Sequence, residues 1–85
     1  MYKIRYTKQA EKDLEKIKRS PYLDKTIFLL NLIQLNPYAE PPLYEPLVGE
    51  KKYARRINIQ HRLVYMVNEE ENYIEILSCW THYHD

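Results

Sequence analysis

The sequence predicts a single α+β domain in which two N-terminal helices pack on a twisted antiparallel β-sheet, with the elements in the order β-α-α-β-β-β-β. Three observations support this prediction. A segment with strand-like alternation begins the chain, two segments with helical spacing follow, and four short β-like segments fill the second half. At 85 residues the chain has room for one small core, so residues 1–85 are expected to form one domain.

The N-terminal segment alternates apolar and basic side chains. Tyr2, Ile4 and Tyr6 are separated by Lys3 and Arg5. This is the period of a half-buried strand, so the segment is predicted to be the first strand of the sheet.

The first helix is predicted from about Lys8 to Arg19, with Thr7 as its N-cap. Its apolar residues recur at helical spacing: Ala10, Leu14 and Ile17. Charged side chains, Asp13 among them, cover most of the remaining surface and are expected to face solvent.

The second helix is predicted to open near Pro21 and Asp24 and to stop at Asn36, which precedes a proline. Its apolar face is wide, so we expect it to be the main core helix. Residues 36–43 contain three prolines and are predicted to form a stiff, ordered connection with little regular structure.

Four short β-like segments follow, around Tyr44 to Val48, Lys52 to Asn58, Arg62 to Asn68 and Asn72 to Trp80. A few residues rich in Gly, Asn, Gln or Glu separate each segment from the next, which is typical of a meander of antiparallel hairpins. Six side chains from these strands are assigned to the core: Tyr65, Met66, Ile74, Ile76, Leu77 and Cys79.

The composition excludes several classes of protein. A hydrophobic fraction of 45% and a charged fraction of 29% are those of a globular chain and argue against disorder or a repeat array. No apolar run reaches the roughly 20 residues of a membrane span, and the N-terminus lacks a signal-peptide core, so a cytoplasmic protein without a membrane partner is expected. Cys79 is the only cysteine, which leaves packing, a partner chain or a ligand to stabilise the domain.

The net charge of +1 hides a strong segregation of charge along the chain. Residues 51–62 carry five basic side chains and no acidic one. These are Lys51, Lys52, Arg55, Arg56 and Arg62. The arginines lie on either side of a short turn, so at least three guanidinium groups are expected near one end of a hairpin. Guanidinium binds phosphate in a bidentate manner, which indicates a phosphate-binding groove. A solvated charged ribbon is the alternative that these residues leave equally open.

The C-terminus and one loop carry the candidate acid-base groups. The chain ends in His82, Tyr83, His84 and Asp85. Histidine is the side chain whose unperturbed pKa is nearest neutrality, so acid-base work is favoured over metal binding, for which no further ligand cluster is present. Glu45 follows the proline-rich connection and is either a proton acceptor near the arginines or an ordinary surface glutamate.

Four motifs together resemble the Txe/YoeB group of the RelE toxin superfamily. They are Glu45-Pro46-Leu47, Tyr53-Ala54-Arg55-Arg56-Ile57, His61-Arg62-Leu63-Val64-Tyr65 and the closing Trp80-Thr81-His82-Tyr83. The resemblance implies a RelE-like domain that is the toxin of a type II toxin-antitoxin pair. It also implies a ribosome-dependent mRNA endoribonuclease that inhibits translation and uses no metal or other cofactor.

The resemblance assigns a role to individual residues. Glu45 matches the general base, Arg62 the group that stabilises the scissile phosphate, His82 the general acid and Tyr83 a positioning residue. Arg55 and Arg56 match the pair that contacts RNA, to which the basic residues Lys51 and Lys52 are added. Attack by the 2′-hydroxyl would leave a 2′,3′-cyclic phosphate and a 5′-hydroxyl.

The resemblance also implies partners. They are a YefM/Axe-like antitoxin, the ribosome and its mRNA, and the chain would act as a homodimer or within a toxin-antitoxin hetero-oligomer. Two other functions stay open at this point. One is a ParE-like toxin that inhibits DNA gyrase without cutting nucleic acid, and the other is an inactive antitoxin-binding or co-repressor module.

Overall fold

The computed structural model of the chain describes residues 1–49 and 51–80. Seven elements follow one another in this order: β1 (Lys3–Tyr6), α1 (Lys8–Lys18), α2 (Leu23–Leu35), β2 (Tyr44–Pro46), β3 (Lys52–Arg56), β4 (Arg62–Asn68) and β5 (Tyr73–Ser78). The predicted α+β class and element order are confirmed.

The five strands form one mixed sheet in the order β1-β5-β4-β3-β2. The β2–β3, β3–β4 and β4–β5 pairs are antiparallel, as the predicted meander requires. The first strand differs from the prediction of an antiparallel sheet, because β1 pairs with β5 in parallel. The alternation that identified β1 specifies a half-buried strand but carries no information on the direction of its neighbour.

Helix α1 begins as the sequence predicts. The Thr7 hydroxyl accepts a hydrogen bond from the backbone N–H of Ala10 at 3.0 Å and donates one to the carbonyl of Leu77 at 3.0 Å. The cap therefore joins the start of the helix to β5. The prediction for Asp13 is wrong, since this side chain is fully buried with Ala10 and Ile17.

Both helices pack against the same face of the sheet and enclose the core. Its central residues include Leu29 and Ile33 of α2 and Tyr65 of β4. Helix α2 is a core helix, as predicted, but it has more apolar surface than the sheet covers. Ile27 and Phe28 are exposed.

The predicted core is correct for four of its six residues: Tyr65, Ile74, Ile76 and Cys79. Met66 is half-buried because it alternates with Tyr65 and points to the other face of β4. Leu77 is also half-buried, and it lies at a register shift in which Ser78 pairs with Val64.

Within residues 1–49 and 51–80, no helix has both the length and the apolar character that crossing a membrane requires.

Candidate active site

The pairing of the strands determines which predicted site residues share a face of the sheet. Glu45 of β2 is opposite Ala54 of β3, and Arg56 of β3 is opposite Arg62 of β4. Directly paired residues project from the same side, and residues two apart along a strand do as well. Glu45, Arg56 and Arg62 therefore lie together on the face that the helices leave open.

An open cleft of about 750 Å³ lies at these three residues. Its walls are formed by Lys25, Pro42, Leu43, Tyr44, Glu45, Ala54, Arg56, Ile57, Asn58, Ile59 and Arg62. Three of these side chains are cations and one is an anion, so the lining has a net positive charge. Positive charge in a concave surface concentrates anions there, which suits a phosphate-bearing ligand.

The opposed arginines are the most informative feature of the cleft. Arg56 and Arg62 occupy directly paired positions, where Cβ atoms are about 5 Å apart and like charges destabilise a sheet. A phosphate between the two guanidinium groups would accept hydrogen bonds from both. Glu45 is a diagonal neighbour of Arg56, and the expected distance between their Cβ atoms is somewhat less than about 7–8 Å. A carboxylate and two phosphate-binding groups can therefore contact one nucleotide.

Arg55 is not in the cleft, so its assignment as an RNA-contacting residue is corrected. It alternates with Arg56 and its side chain is fully buried on the helix side of the sheet. Its guanidinium donates to the Tyr65 hydroxyl at 3.0 Å and to the carbonyls of Pro37 at 3.0 Å, Ala39 at 2.8 Å and Pro42 at 2.8 Å. The predicted gathering of three guanidinium groups therefore reduces to two.

Arg55 instead holds the connection that leads into β2. The three carbonyls that it binds belong to residues 37–42, immediately before Tyr44 and Glu45. Its guanidinium also lies 5.0 Å from the centroid of the Tyr44 ring. Burial raises the pKa of the Tyr65 hydroxyl, with Arg55 acting in the opposite direction, so this hydroxyl remains protonated. It donates to the Pro37 carbonyl at 2.7 Å.

Lys51 and Lys52 lie at the opposite end of β3 from the cleft. Lys51 is exposed and forms an ion pair with Glu69 at 3.6 Å. Lys52 is on the same face as Arg56, but four residues of strand place them about 13 Å apart. Neither lysine lines the cleft, so their contact with RNA stays a prediction.

His82 and Tyr83 lie outside the described residues, as do His84 and Asp85. The chain is described as far as Trp80, whose ring stacks on His61 with 4.0 Å between centroids and 27° between planes. His61 immediately precedes Arg62, so Trp80 lies beside the start of the arginine-bearing strand. In residues 1–49 and 51–80, no three His, Cys, Asp or Glu side chains are arranged to hold a metal ion.

Sequence reasoning missed one basic residue that lines the cleft and one acidic residue that is buried in the core. Lys25, in the first part of α2, supplies the third cation of the lining; it is the only basic residue of positions 20–50, which is the one signal that could have identified it. Asp13 accepts hydrogen bonds from the backbone N–H groups of Cys79 at 3.1 Å and Trp80 at 3.3 Å. No local pattern indicates that contact, because its partners are more than sixty residues away along the chain.

Fold and cleft together define the class of protein: a small α+β domain of the RelE-like toxin fold, with two helices packed on a mixed sheet and a cationic cleft at Glu45, Arg56 and Arg62. The chain belongs to the YoeB-like toxin family of bacterial type II toxin-antitoxin systems, whose family model matches residues 6–83. None of the curated proteins compared with it matches at a significant level.

Solved structures agree with this family assignment. The chain is 29% identical to a YoeB/ParE toxin from Agrobacterium tumefaciens, with a TM-score of 0.85 and alignment over 95% of this chain and 99% of that one. A YoeB-YefM complex from Staphylococcus aureus gives 33% identity and a TM-score of 0.80 over 98% and 99% of the two chains. A YoeB dimer from the same organism gives 34% identity and a TM-score of 0.79 over 96% and 98%.

Proposed function

We propose that this YoeB-like toxin acts as a ribosome-dependent mRNA endoribonuclease that needs no metal ion and inhibits translation in the cytoplasm. The observation that carries the proposal is the cleft in which Glu45 lies beside the opposed pair Arg56 and Arg62. A protein that only binds a partner through charge has no chemical need for a carboxylate beside two phosphate-binding groups. A nuclease that activates the 2′-hydroxyl of its own substrate does need this combination.

The proposed cleavage reaction assigns one step to each of these residues. Glu45 is exposed on the open face and takes the proton of the ribose 2′-hydroxyl, whose oxygen attacks the adjacent phosphorus. Arg62, with Arg56 opposite, stabilises the charge that develops on the phosphorane-like transition state. The 5′-oxygen leaves with a proton, which we assign to His82, and Tyr83 is proposed to position the substrate. The products are a 2′,3′-cyclic phosphate and a 5′-hydroxyl.

The proposed partners are an antitoxin, the ribosome and mRNA. Relatives of 33% and 34% identity were crystallised as a YoeB-YefM complex and as a YoeB dimer. We propose that acidic residues of a YefM-like antitoxin form ion pairs with Lys25, Arg56 and Arg62. The bound antitoxin would then exclude mRNA from the cleft and inhibit the chain. A homodimer and a toxin-antitoxin hetero-oligomer are both proposed states of the chain. The arrangement of the cleft favours neither.

The deciding experiment is primer extension on a defined mRNA in a bacterial cell-free translation reaction. We compare the wild-type chain with Glu45→Gln and Arg62→Ala. The matched controls are Glu70→Gln and Arg19→Ala, which change the same charges at exposed positions away from the cleft. New 5′ ends that require ribosomes should appear with the wild type and both controls, and should fade by about 10²-fold or more in the two cleft variants.

The chemistry of the new ends gives a second test. A 5′-hydroxyl on the downstream fragment and a 2′,3′-cyclic phosphate on the upstream fragment agree with attack by the 2′-hydroxyl. A 5′-phosphate would exclude this mechanism. Intact mRNA together with loss of DNA supercoiling by gyrase would instead assign the chain to the ParE-like function, and intact mRNA with antitoxin binding alone would leave a binding module.

A further inference from the structure

The cleft is bordered by apolar as well as charged side chains. Leu43 and Ile59 both line it, and 78% and 82% of their respective surfaces are exposed. A single apolar side chain on a protein surface is common and needs no ligand to explain it. Two that flank one concave, positively charged site indicate a ligand with an anionic part and an apolar part. These two residues are the apolar border of the cleft.

Leu43 lies beside the groups to which the cleavage reaction is assigned. It immediately precedes β2, which pairs with β3 so that Glu45 is opposite Ala54. Continuing this register by two residues places Leu43 beside Arg56. Leu43 and Glu45 are two residues apart and both line the cleft, so about 7 Å separates their positions along one face. Leu43 is therefore next to the carboxylate that is proposed to deprotonate the ribose 2′-hydroxyl.

Ile59 comes from the turn between β3 and β4, just beyond the arginine pair. The side-chain oxygen of Asn58 accepts hydrogen bonds from the backbone N–H groups of Gln60 and His61. The backbone N–H of Asn58 donates to the His61 carbonyl at 3.2 Å. These bonds close the turn around Ile59, so Ile59 and Leu43 reach the cleft from two separate segments.

The backbone that carries Leu43 is also held in place. Leu43 follows Pro42, whose carbonyl accepts a hydrogen bond from the buried Arg55 guanidinium at 2.8 Å. A ligand that packs against Leu43 and Ile59 therefore does not have to order either segment. Contacts with segments that are already ordered contribute to affinity at a small entropic cost.

We propose that Leu43 and Ile59 contact the nucleobase of the nucleotide whose 2′-hydroxyl reacts, while Arg56 and Arg62 bind its 3′-phosphate. This inference rests on the proposed nuclease function and names the part of the substrate that meets the apolar border. A nucleobase has two apolar faces and is joined through one ribose to the phosphate, so a nucleotide matches both kinds of side chain in the lining. Neither aliphatic side chain can form hydrogen bonds, so the contact is with the face of the base and tolerates any base.

The first test is a methyl NMR titration of the chain with adenosine 3′-monophosphate. This nucleotide has a base, a ribose and a 3′-phosphate but no scissile bond. It should shift the methyl signals of Leu43 and Ile59, because an aromatic ring in contact with a methyl group changes its resonance. Inorganic phosphate and an abasic ribose 3-phosphate should not shift them. The methyl signals of Val48, which is exposed outside the cleft, are the internal control.

The same titration compares Leu43→Ala and Ile59→Ala with the matched control Val48→Ala. Each cleft variant should bind the nucleotide about 3- to 10-fold more weakly and should bind inorganic phosphate as the wild type does. Val48→Ala should bind both ligands with wild-type affinity. Leu43→Met keeps an apolar side chain of similar volume, so its affinity should be close to that of the wild type. All three positions are exposed, and circular dichroism should show every variant to be folded.

The second test connects the contact to cleavage on ribosomes. The mRNA carries either a normal nucleotide or an abasic ribose, with its 2′-hydroxyl intact, on the 5′ side of the mapped cut. With normal mRNA, Leu43→Ala should raise KM about 3- to 10-fold and keep kcat within about twofold. The reason is that the base contact is the same in the bound substrate and in the transition state. With abasic mRNA, the wild type and Leu43→Ala should have the same KM.

Methyl signals of Leu43 and Ile59 that do not move at up to about 20 mM nucleotide would overturn the inference. An equal rise in KM for normal and abasic mRNA would do the same. Variants that lose antitoxin affinity but keep nucleotide affinity would assign the apolar border to the antitoxin instead. A wild type that cuts no mRNA refutes the proposed nuclease, while the methyl titration still decides the base contact. An active wild type with unmoved methyl signals refutes the base contact alone.

Discussion

Replacing Arg55 separates the structural role that its contacts indicate from the RNA-binding role that the sequence suggested. Arg55 is buried and donates four hydrogen bonds, one to the Tyr65 hydroxyl and three to carbonyls of residues 37–42. Its neighbour Arg56 is exposed and lines the cleft. The two arginines are adjacent on one strand, so Arg55→Ala and Arg56→Ala are a matched pair that differs only in which face of the sheet is changed.

The magnitude follows from the contacts that are lost. Hydrogen bonds from a charged group contribute about 1.5–3 kcal/mol each, but the carbonyls of Ala39 and Pro42 are only partly buried and regain water when Arg55 is removed. We therefore expect Arg55→Ala to cost about 3–5 kcal/mol, because the Tyr65 hydroxyl and the buried Pro37 carbonyl each lose a charged donor. A chain of this length has about 4–13 kcal/mol of stability in total. Arg56→Ala should cost less than about 0.5 kcal/mol.

Arg55→Lys provides a milder change if Arg55→Ala does not fold. The lysine keeps the charge but has one nitrogen in place of three, so it cannot reach the Tyr65 hydroxyl and all three carbonyls. A loss of about two hydrogen bonds predicts a cost of about 3 kcal/mol. Tyr65→Phe removes the hydroxyl that joins Arg55 to the Pro37 carbonyl and should cost about 1–2 kcal/mol.

The assay is urea denaturation followed by far-UV circular dichroism, with Trp80 fluorescence as a second probe. The urea midpoint should be highest for the wild type and Arg56→Ala. It should then fall in the order Tyr65→Phe, Arg55→Lys and Arg55→Ala. The cleavage assay should give the reverse pattern for the two arginines: Arg56→Ala is stable but impaired, and the folded fraction of Arg55→Lys is active. Equal urea midpoints for Arg55→Ala and Arg56→Ala would refute the structural role.

Three further outcomes are expected. Thr7→Ala should lower the free energy of unfolding in urea by about 1–2 kcal/mol, and Thr7→Ser should restore most of it, because the hydroxyl caps α1 and binds the Leu77 carbonyl. Ellman's reagent at about pH 8 should label Cys79 about 10³-fold more slowly in the native chain than in urea, since a thiol pKa of about 12 leaves almost no thiolate; labelling at the unfolded rate would contradict its burial. The hydrogen bond from Tyr38, followed by the Lys51 charge, lowers the pKa of the Glu69 carboxyl. The Glu69 carboxylate therefore contributes stability above its unfolded pKa, and this contribution is lost as pH falls through its folded pKa. Tyr38→Phe should therefore reduce the urea midpoint at about pH 7 and have a smaller effect at about pH 2, and an equal effect at both would contradict this linkage.

Local signals account for the elements that the sequence predicted well. The Thr7 cap, the proline that ends α2 and the limits of β4 each depend on residues a few positions apart, so they can be found without tertiary information. The burial of Asp13 could not be found in this way. Its compensating N–H donors lie at residues 79 and 80, and only the folded chain brings them to α1.

The two arginines of β3 show where a motif is insufficient. A resemblance assigned both Arg55 and Arg56 to RNA, whereas strand geometry requires neighbouring side chains to point to opposite faces. Alternation alone predicts that one of them is inside. Which one depends on the register with β4, where Arg56 pairs with Arg62 and Arg55 pairs with Leu63. Register is a long-range property, so the sequence predicted the strand but not which of its two arginines faces the cleft.

Buried charged side chains on the helix side of the sheet bind two segments that precede proposed catalytic residues in the sequence. Arg55 binds the connection that precedes Glu45, and Asp13 binds the bend that precedes His82. A domain of 85 residues without a disulfide has little apolar surface with which to fix such segments. A buried ion that binds several backbone groups fixes their geometry as well as their position, at a cost in desolvation. Substitutions at Arg55 should therefore lower the free energy of unfolding from a position that no substrate contacts, and the Arg55→Lys chain that remains folded should keep its cleavage activity.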